Sequence, residues 1–370
     1  MATQANTSVS PAPALESRRS AASGRIFSVI IQRIALGFFS LFLVSIVIFG
    51  SVSLLPGSFA TAILGQSATP DTVASFERQL GLDRPIVERY VKWVSSAAVG
   101  DFGNSFSSSP ANPRPVSRLI ERRLYNTLFL AFLSAIVAVP ISVMLGLVAA
   151  LFRNTWFDRA LNLGTLTAIS LPEFFVAYVL TYFVVMRESF MLTPLGQSLP
   201  EWIATPISQM FAFIPNFPIL ADISSSMPLS QQLYTCFLPA TTLTLVCTAH
   251  MMRMTRAAII NLLASPYVEM AKLKGASPWK VIWHHALPNA WAPIANVVAF
   301  NLAYLITGVV VVEVVFVYPG VGQLMVDSVK SRDIPVVQAC ALIFGASYII
   351  LNLCADLITI ITNPRLMHPR

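Results

Sequence analysis

The segment from Tyr267 to Pro288 carries the side chains whose types and spacing most clearly indicate a function. It is polar and cationic, and it lies between two long apolar runs. Ser265 and Pro266 favour a helix start, because serine caps free N–H groups and proline fits the first helical position. Gly275 favours the helix end, since glycine adopts left-handed dihedral angles without steric cost. The chemistry that such a segment offers is noncovalent recognition of a partner.

Two faces are predicted on this first short helix. Tyr267, Met270 and Ala271 share an apolar face at helical spacing, while Glu269 and Lys272 lie on a polar face. An apolar face of this kind suits the insertion of a short helix into a groove on another protein. The alternative is an amphipathic helix that lies on anionic lipid.

A second short helix is predicted to start at Ser277, so that the two helices meet at an angle near Gly275. The segment Tyr267–Pro288 that contains both helices is called the elbow below. Large apolar side chains and lysines recur along both helices up to the next apolar run. The residues expected to contact the partner are Tyr267, Glu269, Met270, Ala271, Lys272, Lys274, Gly275, Trp279, Leu287 and Pro288.

The sequence offers no constellation for catalysis. The dipeptide Gly-Lys does not occur, so the standard phosphate-binding loop is missing and the chain is not expected to bind or hydrolyse ATP itself. His284 and His285 are adjacent, and adjacent side chains on a helix point about 100° apart, which disfavours a shared metal. The four cysteines show no CxxC or zinc spacing and are expected to be small buried apolar residues. We therefore predict a non-catalytic chain without a metal or a cofactor of its own.

The elements that must position the elbow are membrane-spanning helices. The chain is 55% hydrophobic and 11% charged, whereas about a quarter of the residues in soluble domains are charged. Each of six apolar runs has roughly 20 residues or more, which is enough to cross a bilayer as a helix. The runs are Ile34–Leu55, Leu124–Phe152, Ala160–Met186, Leu233–Met252, Ala290–Val312 and Val336–Ala355. We predict an all-α polytopic membrane protein with six transmembrane helices.

The distribution of cationic residues predicts the orientation. Of the 24 Lys and Arg residues, 13 fall before the first run, in the loop Arg153–Arg159, in residues 253–288 and in the C-terminal tail. Six spans would place all four of these segments on one side, and the positive-inside rule assigns that side to the cytoplasm. Both termini are thus expected to be cytoplasmic. This arrangement explains the net charge of +7 without a nucleic-acid partner.

The predicted organisation follows from these spans and from the composition between them. Residues 1–25, rich in Ala, Ser and Pro, are expected to form a disordered tail. Residues 26–55 form the first span, 56–123 an outer helical domain, and 124–365 a five-helix core, followed by the tail 366–370. The core includes an outer insertion, 187–232, of unassigned role and the inner loop 253–288.

Polar residues within the apolar runs are candidates for a solute path, because charges at membrane depth are costly and usually functional. Glu173 lies about thirteen residues into the third run, beside Pro172, where a kink would open a polar pocket. Asn301 and Glu313 are the other candidates, with pairing to a neighbouring helix as the structural alternative. Gly146 and Gly345 are expected to permit close helix packing.

The elbow resembles a known motif. Glu269-Met-Ala271, Gly275 and Leu287-Pro288 are similar to the EAA loop of bacterial ABC importer permeases, with Met270 in place of an alanine. Further blocks resemble the first permease subunit of dipeptide and oligopeptide importers. They are Leu55-Pro-Gly57, Gly81-Leu-Asp-Arg-Pro85, Gly100–Ser105, Asn126-Thr127, His285–Asn289, Glu313, Phe316–Gly322, Arg332–Pro335, Asn352, Asp356 and Asn363-Pro-Arg365. The resemblance covers residues 26 to 365, although the segment at about 195–230 is longer than is usual for that family.

This resemblance implies a type I ABC importer permease fold in the bacterial inner membrane. It implies a second, homologous permease subunit, two cytoplasmic ABC ATPases that bind ATP and magnesium, and an extracytoplasmic substrate-binding protein. The elbow would sit in a groove on one ATPase, and residues 56–123 and 187–232 would be periplasmic. The solute would be a peptide or a peptide-like molecule. The alternative is a secondary transporter or channel without an ATPase, which the absence of visible inverted repeats disfavours.

Overall fold

A computed structural model describes residues 13–54, 60–61, 68–79, 81–108, 112–213, 215–224, 226–277, 280–281 and 287–362. Within these ranges the chain is helical and contains no β-strand beyond an isolated bridge between Asn104 and Pro115. The helices are α1 (Pro13–Ser53), α2 (Pro70–Gln79), α3 (Ile86–Ala98), α4 (Val116–Leu151), α5 (Trp156–Ser170), α6 (Glu173–Ser189), α7 (Pro194–Ser198), α8 (Glu201–Ala212), α9 (Leu229–Thr235), α10 (Phe237–Leu263), α11 (Pro266–Leu273), α12 (Leu287–Val315), α13 (Val321–Lys330) and α14 (Ile334–Thr362). A single 3₁₀ turn, Phe190–Leu192, follows α6.

Four helices in the described part of the chain are long and apolar enough to cross a membrane. They contain the segments Ser28–Ser53, Val116–Leu151, Pro293–Val315 and Ile334–Ile358. Two bent helix pairs, α5 with α6 and α9 with α10, bring the number to six if each pair is one span. The structure thus confirms an all-α polytopic protein with four to six spans.

The third predicted span is not one continuous helix. The axes of α5 and α6 differ by 104°, and the break falls at Leu171 and Pro172. Proline lacks an N–H donor and pushes the preceding residue out of the helical region, as the Leu171 angles of −88° and 130° show. Glu173 is consequently the first residue of α6 and does not lie inside a straight span.

Three helix boundaries also differ from the predicted segment boundaries. Helix α1 continues back to Pro13, which corrects the expected disordered tail from that residue on. The Leu, Glu, Arg and Ala residues after Pro13 are good helix formers, which explains this extension. Helix α4 begins at Val116, inside the predicted outer domain, and α10 runs to Leu263, inside the predicted inner loop.

Close packing of α4 against α10 forms the centre of the bundle. A Cβ atom at Gly146 would lie 2.8 Å from the Cβ of Thr255 and 2.9 Å from the carbonyl oxygen of Met252, so only glycine fits. A Cβ atom at Gly345 of α14 would lie 3.1 Å from the Cγ1 atom of Val44 on α1, which is a tight contact. These contacts confirm the predicted packing role of both glycines.

The cysteines follow the prediction except at one position. Cys236, Cys247 and Cys340 are buried free thiols, whereas Cys354 is exposed on α14. Cys247 packs with Ala138, Met251 and Leu305, which joins α4, α10 and α12 in one apolar cluster.

Candidate functional site

The first short helix of the elbow begins and ends where its sequence predicts. Helix α11 starts at Pro266, and Gly275 has a φ angle of 78°. The amide of Ala276 donates to the carbonyl of Ala271 at 3.2 Å, the hydrogen bond that closes a Schellman motif. The Ser265 hydroxyl donates backwards to the carbonyl of Leu262 and so connects the elbow to α10. Both predicted ends of the first short helix are therefore confirmed.

The faces of α11 differ from the prediction at Ala271. Tyr267, Met270 and Leu273 are 41%, 54% and 77% exposed and form one accessible apolar stripe at helical spacing. Ala271 is buried with Val268, so it does not belong to this exposed stripe. The pair packs with Leu263, Ala276 and Val281, which fastens α11 to the end of α10.

Polar positions surround the exposed stripe. Glu269, Lys274 and Gly275 are all exposed. Trp279 lies outside the described residues, and so do the side chains of Lys272, Leu287 and Pro288. Lys280 belongs to a new helical turn, because its backbone amide donates a hydrogen bond to the hydroxyl of Ser277 at 3.4 Å. This turn supports the predicted start of the second short helix.

An ion pair anchors the helix that carries the elbow. The guanidinium group of Arg256 on α10 donates two hydrogen bonds of 2.7 Å to the carboxylate of Asp158 on α5. Asn162 and the amide of Asn154 donate to the same carboxylate at 2.8 and 3.0 Å. The two-point geometry fixes the relative positions of the two helices. Neither residue of this pair is among those predicted from the sequence, although an acidic residue among the cations of a short loop is a usable signal.

Glu173 lies at the junction of three helices. Its carboxylate is close to the Tyr304 hydroxyl on α12, and the missing side chain of Gly308 makes room for it, since a Cβ there would lie 2.8 Å from Glu173 Oε1. The ring of His250 on α10 lies 5.5 Å from the Tyr304 ring. Tyr304 is partly exposed and Glu173 is half-buried. The group combines an acid, a phenol and an imidazole on one accessible surface of the bundle.

Asn301 and Glu313 make contacts that do not join them to this group. Asn301 is buried and donates to the carbonyl of Val297 at 2.8 Å within its own helix. Glu313 is fully buried, and its carboxylate accepts from the Thr127 hydroxyl at 2.6 Å and from the Gly322 amide at 2.7 Å. The Glu313 side chain therefore caps the first turn of α13.

A tyrosine completes the region around Glu313. The hydroxyl of Tyr318 donates to the carbonyl of Asn126 at 2.7 Å, and the Asn126 amide donates to the carbonyl of Pro319 at 2.8 Å. Burial raises the pKa of Tyr318 above its ordinary value, so its hydroxyl keeps the proton that it donates. The 316–320 turn is thus held against α4 from several points.

Comparisons with known proteins identify the family. The profile described as "Binding-protein-dependent transport system inner membrane component" matches residues 142–368, and the corresponding N-terminal profile matches residues 26–137. The chain is 32% identical over 326 residues to the "Probable peptide ABC transporter permease protein y4tP" of Sinorhizobium fredii, which covers 88% of this chain and 95% of that protein. It is 34% identical over 329 residues to the glutathione transport system permease protein GsiC of Escherichia coli, which covers 89% and 95%.

Both profiles together span most of the chain, and they include the elbow, α10 and the Glu173 group. The family acts with ATPase and substrate-binding partners and contributes a membrane component without catalysis of its own. The chain belongs to the binding-protein-dependent transport system inner membrane components and is a multi-pass permease of an ABC importer.

Proposed function

We propose that this permease has six spans with both termini in the cytoplasm and that it pairs with a second, homologous permease. Two partner ATPases bind ATP and magnesium and supply the hydrolysis, because the chain lacks a phosphate-binding loop. A periplasmic binding protein delivers the solute. The cationic inner segments, including residues 253–288, support this orientation.

The exposed stripe of α11 is the observation that carries the proposal. Tyr267, Met270 and Leu273 are accessible at the end of α10, and Lys274 stands beside them. A short apolar stripe with a cationic border fits a groove on a soluble protein. The buried side of α11 is packed against the α10 end, so a displacement of α11 would be carried into the spans.

We further propose that the Glu173 group faces the solute path. Tyr304 and Thr307 are exposed on α12, which is long and apolar enough to cross the membrane, and lipid disfavours polar groups of this kind. The second permease or a water-filled path is their expected neighbour. The relatives' names support a peptide or a peptide-like solute such as glutathione. The Glu173 carboxylate would pair with the amino group of such a solute.

The test uses the complete transporter in proteoliposomes that contain the binding protein. Met270→Glu places a charge on the apolar stripe and should reduce both co-purification of the ATPases and ATP-driven peptide uptake. Met270→Leu is the matched control, since it keeps an apolar side chain of similar volume and should retain both. Normal docking and normal coupled uptake in Met270→Glu would refute the proposed role of the elbow.

A second measurement separates this function from its alternative. A secondary transporter would import the solute under an ion gradient without the ATPases. We expect uptake to require ATP and intact ATPase subunits, and to be absent when only a proton or sodium gradient is applied. Uptake by this chain alone under a gradient would favour the alternative.

A further inference from the structure

A cavity of about 970 Å³ lies at one end of the bundle, far along the spans from the elbow. Its walls are the end of α1 at Phe49, the helices α2 and α3, the loop at Asp101–Ser108 and the start of α14 at Ile334. This volume is at the upper end of the range of pockets that hold small ligands, about 300–1,000 Å³. The cavity shares no residue with the elbow or with the Glu173 group.

The charges around the cavity favour an anion. Four cationic side chains line it, namely Arg78, Arg84, Arg89 and Lys92, against the carboxylates of Glu88 and Asp101. Glu88 is already paired with Arg84 at 2.9 Å, and Asp101 accepts from the Gly103 amide at 2.9 Å. Arg78, Arg89 and Lys92 form no ion pair among the described residues. The lining therefore keeps an excess of positive charge.

Two buried donors in the cavity wall have no acceptor in the described protein. They are the indole Nε1 of Trp93 and the amide Nε2 of Gln338, a residue that is only 4% exposed. A buried donor without an acceptor lowers the stability of the fold by about 1–3 kcal/mol, so such donors are rarely left without a hydrogen bond. Each donor belongs to a side chain that lines the cavity, and a rotation of that side chain would present the donor to an acceptor oxygen bound there.

The cavity lies at the ends of two candidate spans, where the boundary of the membrane is expected. Phe49 lies near the end of the span Ser28–Ser53, and Ile334 begins the span that packs beside it. Phe49, Tyr90 and Trp93 form an aromatic cluster there, with ring centroids 5.4 to 6.3 Å apart. Aromatic rings and cations at the ends of spans are typical of the depth at which lipid head groups lie. A phosphate group is the anion that is abundant at this depth.

We propose that this cavity binds the phosphate-bearing head group of an anionic phospholipid. Trp93 and Gln338 donate to its oxygens, and Arg78, Arg89 and Lys92 balance its charge. The bound lipid fastens the outer helices α2 and α3 to the spans α1 and α14. The inference concerns a site separate from the ATPase and solute contacts, and it holds for either orientation of the chain in the membrane.

Native mass spectrometry of the purified complex, titrated with phosphatidylglycerol, tests the proposal. Lys92→Gln should weaken phosphatidylglycerol binding about fivefold, the ratio expected from about 1 kcal/mol per basic residue. Trp93→Phe keeps the ring and removes the N–H donor, and it should weaken binding in the same direction. Lys330→Gln is the matched control, because Lys330 is an exposed cation of α13 that does not line the cavity. It should bind as the unmodified chain does.

Two further arms identify the source of the phosphate. Phosphatidylcholine carries the same phosphate without net charge and should bind more weakly than phosphatidylglycerol. Excess inorganic phosphate should not displace the bound lipid. Equal phosphatidylglycerol binding in Lys92→Gln, Trp93→Phe and Lys330→Gln would overturn the proposal, and so would displacement by inorganic phosphate. Thermal unfolding without added lipid shows whether Trp93→Phe is folded, and the surface change Lys92→Gln decides the question if it is not.

Discussion

Glu313 places a carboxylate group inside the helix bundle, where a charge without partners would cost several kcal/mol or more. The Thr127 hydroxyl and the amides of Gly322 and Gln323 all donate to it. The Thr127 hydroxyl also accepts from the Val321 amide at 2.9 Å. One carboxylate thereby connects α12, α4 and the first turn of α13. At the scale of single residues, these hydrogen bonds indicate a structural role.

The Thr127 hydroxyl is the contact of Glu313 that can be removed most cleanly. Thr127→Val preserves the shape of the side chain but leaves Glu313 and the Val321 amide without this partner. We expect the free energy of unfolding to fall by about 1.5–3 kcal/mol, the range for a hydrogen bond to a charged group. Denaturant or thermal unfolding of the purified protein measures the change.

Thr167→Val is the control for this change. Its hydroxyl is exposed and donates only to the Leu163 carbonyl of its own helix among the contacts of the described residues, so its loss should have little effect. Thr127→Ser keeps a hydroxyl group and should recover most of the stability. Equal stability of Thr127→Val and Thr167→Val would show that the Glu313 contact contributes nothing.

At the scale of elements, local sequence predicts the ends of α11 well and the packing of that helix poorly. Pro266 and Gly275 set the ends of α11 through properties of their own backbones, so the sequence alone locates them. The burial of Ala271 depends on Leu263 and Val281, which the fold brings against it. Asp158 and Arg256 likewise meet only after α5 and α10 have packed. Contacts between distant segments cannot be derived from the spacing of residues within one segment.

The break at Pro172 shows the same limit. Hydrophobicity joins residues 160–186 into one apparent span, and a proline inside such a run is compatible with a kinked helix or with two helices. The structure contains two, with Glu173 at the start of the second. The choice depends on what packs around the break, including Tyr304 and Gly308.

Gly275 provides a test of the elbow as an element. A Cβ at this position meets no atom of the described residues within 4 Å, so the effect of a substitution is expected to come from the backbone angle. A left-handed conformation costs an ordinary L-residue about 1–2 kcal/mol and a β-branched residue more. Gly275→Val should leave membrane insertion intact and reduce coupled uptake roughly five- to thirtyfold, the factor that this energy gives.

Gly275→Asn is the matched control, because asparagine tolerates left-handed angles better than other residues. It should keep most of the coupling between ATP hydrolysis and uptake in proteoliposomes. Similar losses in Gly275→Val and Gly275→Asn would indicate that the small size of glycine matters and that its backbone angle does not.

At the scale of the whole molecule, composition predicts a membrane protein of several helices, and charge predicts how it is oriented. Periodicity within a single run cannot decide whether α5 with α6, or α9 with α10, crosses the bilayer once. The proposed topology nevertheless assigns a definite side to each surface residue. Lys330 at the end of α13 and Lys274 at the end of α11 are both exposed, and six spans place them on opposite sides.

Thiol labelling with a membrane-impermeant reagent tests this topology in intact cells. The native cysteines are first replaced by serine, with Cys354 the most important since it is exposed. In that background Lys330→Cys should react in intact cells, whereas Lys274→Cys should react only after the membrane is opened, because the bilayer excludes a charged reagent. Peptide uptake by each variant serves as the control for folding. Labelling of both positions from outside, or of Lys274→Cys alone, would rule out six spans with the elbow in the cytoplasm, and the ATPases would then have no access to it.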